Sequence, residues 1–513
     1  MDDPLFLWSA QQIVHHPSDP YGFDLVWYFI RMPMWAVTKN PPLASYYAAI
    51  IGVIAGWSER ALHLAFLIPA LALILGTYQL ARHFTRYPLV AAAITLVAPV
   101  VMVSATSIMC DTMMLALWIW AAIFWIKGLD RPKPLYLFAS AALISACALT
   151  KYYGISLIPL LLAYSLFRRR HFETRLWYLL IPVAALIEYQ LWTTRLYGQG
   201  LLSAAVSYTF HENTAPSGLF PQLLLGLSFA GGCALPALFF APILWPWKKL
   251  LAPIAGAGLA ALFFYLGWIH IASDFILAHP AEVSLQLGLF VLSGILILRL
   301  ALTDLWQHRD ADSLFLALWI LGTFIFATFI NWTVNARSVL PLVPAAAILI
   351  ARRLESTDFS RARLAIALGL CCFLSLWITN GDAAFANSAR AAADIIHDQS
   401  AGQPGTLWFA GHWGFQFYMQ HLGARPYDQK NNLSQPGEIL IMPGNNSNLF
   451  EVPSDLVTHV IELPMRRAVT TSSGTSGAGF YSSVWGPLPF SFGPVPPERY
   501  SFVRLPQQPL GLH

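Results

Sequence analysis

Charge is what this sequence has least of. Only 11% of its 513 residues are Asp, Glu, Lys or Arg, less than half of the roughly 25% found in water-soluble domains. That shortage excludes an ordinary hydrated surface. With 57% hydrophobic residues gathered in long runs, and about 20 apolar residues needed for one crossing, lipid is the expected solvent. The formal charge of +4 is too small to mark nucleic acid as a partner. Cysteine is scarce too. Cys110, Cys147, Cys233, Cys371 and Cys372 lie in or beside apolar runs, with none after residue 380. They write neither a disulfide framework nor a CxxC pair, and buried apolar thiols are the ordinary reading. His211, His412 and His421 have no metal-ligand spacing, so no metal is expected. The opening Met1-Asp2-Asp3-Pro4 lacks the charged, apolar and small-residue order of a signal peptide.

Apolar windows predict twelve spans, at 61–80, 88–104, 112–127, 135–150, 152–167, 176–194, 221–245, 251–272, 283–303, 313–331, 338–352 and 363–380. The connecting loops alternate in charge. One set carries Arg82 and Arg86, then Lys127, Arg131 and Lys133, then Arg168, Arg169, Arg170 and Arg175. The same set continues with Lys248 and Lys249, Arg299 and Arg309, and Arg352, Arg353, Arg361 and Arg363. The opposite short loops hold only Lys151, Arg195 and Arg337. Cytoplasmic loops are the positive ones, so residues 1–60 and the tail after 380 are expected outside. An outside start with no span before it implies a further transmembrane helix upstream of Met1. The alternative is a short tail carried across by the first helical hairpin.

Residues 1–60 read as an outside loop resting on the membrane. Leu5 to Val14 suits a short interfacial helix, and 43–56 is apolar but short for a span. Residues 61–380 form the transmembrane domain. The tail, 381–513, is rich in Gly, Pro, Ser and Asn. Helices at 384–398 and Gly414–Leu422 alternate with strands at Leu407–Ala410 and Ile439–Met442, which predicts a small α/β domain. Thr470–Gly479 reads as a low-complexity loop. Trp408, Trp413, Phe415, Phe417 and Tyr418 suit either the core of that domain or stacking on sugars.

Five polar features stand at the outer face. The doublet Asp2-Asp3 precedes an aromatic run to Trp8; it fits a general base or a helix cap. Lys39 precedes Asn40-Pro41-Pro42-Leu43, fitting a phosphate contact or a snorkelling side chain. Asp111 opens a span in Ile108-Met109-Cys110-Asp111-Thr112, again a possible cap. Lys151 in Leu149-Thr150-Lys151-Tyr152-Tyr153 and Arg337 in Asn335-Ala336-Arg337-Ser338 break the charge rule. Each therefore calls for an anion, either a ligand's or a carboxylate elsewhere in the chain.

In this order, over about residues 1–355, these motifs resemble the dolichyl-phosphate-mannose protein mannosyltransferase-like superfamily. That group includes the bacterial aminoarabinose transferases that modify lipid A. The resemblance implies a GT-C fold: an all-α polytopic membrane protein with thirteen spans, twelve here plus the missing first, and a small extracytoplasmic C-terminal α/β domain. It implies a place in the bacterial inner membrane and transfer of a sugar from a polyprenyl-phosphate carrier. The acceptor would be a glycolipid, a glycan or a protein. By resemblance Asp2 is the catalytic base, Asp3 stands where the family more often has Glu, and Asp111 is a second required acid. Lys151 and Arg337, with Lys39, would face the carrier phosphate. The family usually has His or Lys directly before Pro-Pro, whereas Asn40 stands here. The implied reaction is one inverting displacement in which the lipid-linked sugar is a substrate and no cofactor is needed. A transporter or flippase for lipid-linked sugars would need polar groups at the bundle midplane as well. Glu188 and His270 are the candidates for these, near span ends. A polymerase acting on the same carriers and a non-catalytic relative are further alternatives.

Overall fold

The computed structural model describes residues 3–131, 133–211, 218–271, 276–400, 405–431 and 433–507. Asp2 lies outside them. The chain forms two compact units: residues 58–380 with 469–493, and residues 1–57 with 381–468 and 494–513.

The first unit is helical and makes a multi-pass membrane protein. Each of the twelve apolar windows falls on a helix or a pair of helices. Among the described residues, six helices are long and apolar enough to cross a membrane, and eight crossings result if each of two bent pairs counts as one. The bends have proline causes. Pro88–Leu96 and Pro99–Ala105 meet at 64°, and Leu219–Cys233 and Pro236–Leu244 at 83°; Pro99 and Pro236 each open the second arm, where the missing N–H breaks the ladder. The other four windows fall on helices shorter than a full crossing: Pro134–Thr150, Leu157–Arg169, Leu251–Tyr265 and Leu342–Leu354.

Helix faces sort by solvent. On Glu59–Phe84, Leu64, Ile68, Leu71 and Leu75 are exposed, one outward stripe at helical spacing, while Leu62, Phe66, Leu73 and Leu80 are buried. An outward leucine stripe is stable only against lipid tails. Cys110–Asp130 is enclosed, with Trp118 and Trp125 fully buried. Residues 469–493, including the stretch expected as a loop, fold into this unit as short paired strands with Thr470, Thr471, Ser472 and Ser473 all buried. Small residues there let backbone pack on backbone, so the low-complexity composition reflects close packing.

The second unit is built on a five-stranded mixed sheet. Leu407–Phe409 pairs in parallel with Arg425–Pro426 and Ile439–Pro443, and Glu498–Arg504 runs antiparallel between Ile439–Pro443 and Val457–Leu463. The helices Trp413–His421 and the end of Arg361–Ser400 cover it, burying Phe415, Met419, Ala392 and Ile396 against Phe409, Ile441 and Phe502. Trp408 is core as well, its indole N–H donating to Glu438 Oε2 at 2.7 Å. Residues 1–57 belong here as a helix, Asp3–His15, a hairpin of Asp24–Trp27 and Ile30–Pro33, and an apolar helix, Leu43–Ala55. The hairpin is tied in by Gln416 Nε2 donating to the Val26 carbonyl (3.1 Å) and the Gln429 amide to that of Phe29 (2.8 Å).

Candidate functional site

The helical hairpin Cys110–Asp130 and Pro134–Thr150 sets the centre of the site. Its two arms run antiparallel from a short turn. The Ser140 hydroxyl donates to the Ala121 carbonyl at 2.8 Å, and the Cys147 thiol to that of Met114 at 3.3 Å. One turn further toward the open end, the same register sets Asp111 opposite Lys151. Lys151 Nζ lies 2.5 Å from Asp111 Oδ1. Asp111 is therefore a bridging carboxylate and not a cap; Met109 is the N-cap, and it makes no side-chain cap bond.

Lys151 is held by the turn after it. Tyr152–Ser156 is a short 3-10 helix, in which Gly154 packs against the preceding helix; a Cβ there would lie 2.7 Å from the Ala148 nitrogen. Tyr153 stacks on Trp118 at 5.5 Å between ring centroids and shares a 2.7 Å hydrogen bond with Thr323.

Arg337 arrives from a third segment. Its Nη1 is 3.9 Å from Asp111 Oδ2 and 3.1 Å from the Met109 sulfur. The segment is irregular, following a π-helical turn at Phe326–Ile330, and is fixed by the folded-back 469–493 stretch. The Ala336 amide donates to the Phe480 carbonyl (2.9 Å), the Ser483 amide to that of Val334 (2.8 Å), and Thr333 Oγ1 meets Ser482 and Ser483. Asn335 caps the Ala336–Val339 turn through Ser338 N. Tyr481 sits with its ring 5.7 Å from the Arg337 guanidinium, within cation–π range. Tyr481 escaped sequence reading because nothing in its surroundings marks a partner so far along the chain.

Burial within the cluster is graded. The Asp111 side chain is 2% exposed, against 21% for Lys151 and 18% for Arg337. A sealed carboxylate thus clamps an ammonium, with a guanidinium close by, and each cation keeps one part reachable. Desolvated ions of this kind are retained only when paired. The anion that Lys151 and Arg337 were expected to need is, within the chain, Asp111.

Asp3 and Lys39 belong to the other unit. Asp3 begins the Asp3–His15 helix, and Lys39 Nζ donates to the Ala36 carbonyl at 2.7 Å. Tyr21 donates to the Asn40 carbonyl at 2.8 Å, so the residue before Pro41-Pro42 serves as a backbone anchor. His412, also in that unit, is buried in an aromatic cluster. Its ring stacks on Trp27 at 4.5 Å and meets Tyr28 edge-on at 5.3 Å. Tyr28, Phe29 and Trp413 all hold left-handed backbone angles, costly for bulky residues. Both His412 ring nitrogens lack a hydrogen-bond partner among the described residues, and burial pushes its pKa down to about 4.

Residues 39–192 match the dolichyl-phosphate-mannose-protein mannosyltransferase family, a stretch that contains Lys39, Asp111 and Lys151. No curated protein matches the chain. Among solved structures, ArnT from Cupriavidus metallidurans, bound to undecaprenyl phosphate, is 16% identical with a TM-score of 0.41, over 86% of this chain and 88% of that one. The same protein in the apo state gives 16% identity and a TM-score of 0.40 over the same shares. The oligosaccharyltransferase of Archaeoglobus fulgidus, tethered with an acceptor peptide, is 14% identical with a TM-score of 0.47, over 83% of this chain and 60% of that one.

Proposed function

We propose that the protein is an integral membrane glycosyltransferase of GT-C type, moving a sugar from a polyprenyl-phosphate carrier to an extracytoplasmic acceptor with inversion. The observation that carries this reading is the convergence of Lys151 and Arg337 on Asp111 from three separate segments. Two cations held by a carboxylate of the chain itself make a receptor for developing phosphate charge, with little reorganisation during the reaction. The family match over 39–192 supports it.

In this reading Lys151 and Arg337 receive the departing phosphate and Asp111 orients them. Its carboxylate is sealed and bonded to Lys151 Nζ, which keeps it out of contact with an incoming substrate. The base is Asp2, with Asp3 beside it. The acceptor's proton passes to the carboxylate, the acceptor atom bonds to the anomeric carbon, and the bond from that carbon to the phosphate oxygen breaks with its electron pair. Lys39, inside the family match, is a further candidate for contact with the carrier.

The sidedness of the chain agrees. Residues 1–57 and 381–468 fold as one unit, so the intervening crossings are even in number and both segments lie on one face. With the Lys- and Arg-rich loops read as cytoplasmic, this unit faces outward, which supports an extracytoplasmic acceptor.

The test supplies purified protein in detergent with a radiolabelled polyprenyl-phosphate sugar and membrane extract. Label reaches an acceptor with wild type, and falls about 100-fold or more with Lys151→Gln, Arg337→Gln or Asp2→Asn, the scale for losing one preorganised charge contact or the base. Tight carrier binding with no transfer overturns the reading in favour of a transporter.

A further inference from the structure

The unit formed by residues 1–57 and the C-terminal segments contains a cavity of about 650 Å³, lined by Trp8, Gln11, Gln12, Asp24, Trp57 and Gln420 among others. Its volume falls within the usual range of ligand sites. Its lining sets two tryptophans and three glutamines beside Val14, His15, Phe23, Asp24 and Leu25. Two indoles offer broad apolar faces, and three glutamines each offer both donor and acceptor groups. A sugar ring needs both, because its C–H face is apolar while every hydroxyl donates and accepts.

The platforms are set in advance. A Cβ on Gly52 would lie 2.6 Å from the Trp57 ring, so glycine is what lets this indole lie flat against the Leu43–Ala55 helix. Trp8 leans on Phe417 at 6.5 Å between centroids, one turn from Gln420 on the same helix. Gln12 is braced by its Nε2 donating to the Asp19 carbonyl at 3.3 Å. Rigid aromatics and fixed amides reduce the ordering cost of binding.

Charge narrows the ligand. Among the described residues lining the cavity there is no lysine or arginine, and His15 is the one basic side chain, so a phosphate headgroup meets neither an ammonium nor a guanidinium there. Asp24 is the one carboxylate on the wall, and it sits 3.4 Å from Arg31. We infer that this cavity binds an uncharged saccharide through Trp8 and Trp57 stacking and the Gln11, Gln12 and Gln420 amides. Under the transferase reading it takes the sugar portion of the acceptor; that assignment, but not the binding itself, rests on the reading.

The test is saturation-transfer NMR and calorimetry on the full chain in detergent. The probes are the uncharged oligosaccharides N-acetylchitotetraose and maltotetraose, without any donor. Binding by at least one probe is expected, weakened tenfold or more by Trp8→Ala and Trp57→Ala and three- to tenfold by Gln420→Ala. Gly52→Ala, which keeps every lining side chain but displaces the indole, weakens it similarly. Unchanged thermal unfolding of Gln11→Ala, on an exposed position, makes its own loss of binding a site effect. No binding by any probe overturns the inference, as does affinity indifferent to both tryptophans or displacement by inorganic phosphate. Saccharide binding without sugar transfer keeps the cavity and sinks the transferase reading; transfer without saccharide binding does the reverse.

Discussion

Lys151 Nζ stands 2.5 Å from Asp111 Oδ1 across the mouth of a helical hairpin, with the carboxylate sealed and the ammonium partly open. The bridge joins the first turn of one helix to the residue after the last turn of the next, so it closes the hairpin as well as orienting the cation. Removing one charge should then cost more than removing both. Asp111→Asn leaves Lys151 without its partner and is expected to destabilise by about 3 kcal/mol. The double change Asp111→Asn with Lys151→Met restores most of that and leaves transfer abolished. Thermal unfolding in detergent, paired with the transfer assay, checks both halves.

Tyr481 lies beside Arg337 and should act through its ring. Tyr481→Phe is expected to keep carrier binding within about twofold, whereas Tyr481→Ala weakens it about three- to tenfold, the range of a partly desolvated cation–π contact. Arg337→Lys keeps the charge but loses the planar fork, and should resemble Tyr481→Ala. Equilibrium binding of polyprenyl phosphate measures all three.

Gly154 touches backbone, which cannot move aside as a flexible side chain can. Gly154→Ala places a Cβ 2.7 Å from Ala148 N and Cys147 C. The expected result is a loss of about 1–3 kcal/mol, typical of overpacking, together with displacement of Lys151 and weaker carrier binding. Ala148→Gly, which leaves that nitrogen in place, should not restore it.

Two groups of the C-terminal unit give opposite pH limbs. His412 falls from 6.5 to about 4 by burial. Its share of stability is full above pH 6.5 and is lost as pH drops through about 4, because the unfolded chain takes up the proton first. Glu498 rises from 4.5 to about 7 by burial, opposed by the Asn445 hydrogen bond. Its share is full below pH 4.5 and is lost as pH climbs through about 7. Each limb is on the order of 3 kcal/mol. Unfolding temperature against pH should flatten on the acid side in His412→Phe and on the neutral side in Glu498→Gln.

Much of this was legible in the amino-acid order. The twelve apolar windows each found a helix, because lipid burial leaves a contiguous signal. The helices at Asp3–His15, Leu43–Ala55 and Trp413–His421 and the strands at 407 and 439 also announced themselves through local pattern. The pairing of Asp111 with Lys151 was within reach, since two apolar runs of similar length joined by a short polar link bring their far ends opposite one another. The hairpin at Asp24–Pro33 was not, because its left-handed Tyr28 and Phe29 replace the Gly or Asn that turns favour. The proline bends hid how many windows are full-length helices. The fate of residues 469–493 was hidden as well, because small residues that pack backbone against backbone read in sequence like those of an open loop.

The seam between residues 333–336 and 480–483 has a timing built into it. Thr333 finds Ser483 across 150 positions of chain. At the usual rate of synthesis, about 5–20 residues per second, the Arg337 segment exists for roughly 10–30 seconds before its fastening is made. The helices around it can insert and pack in that interval, but the seat of Arg337 is finished only when residues 480–483 arrive. A chain cut short before residue 480 would leave the Arg337 segment without the Phe480 and Ser483 contacts that fix it.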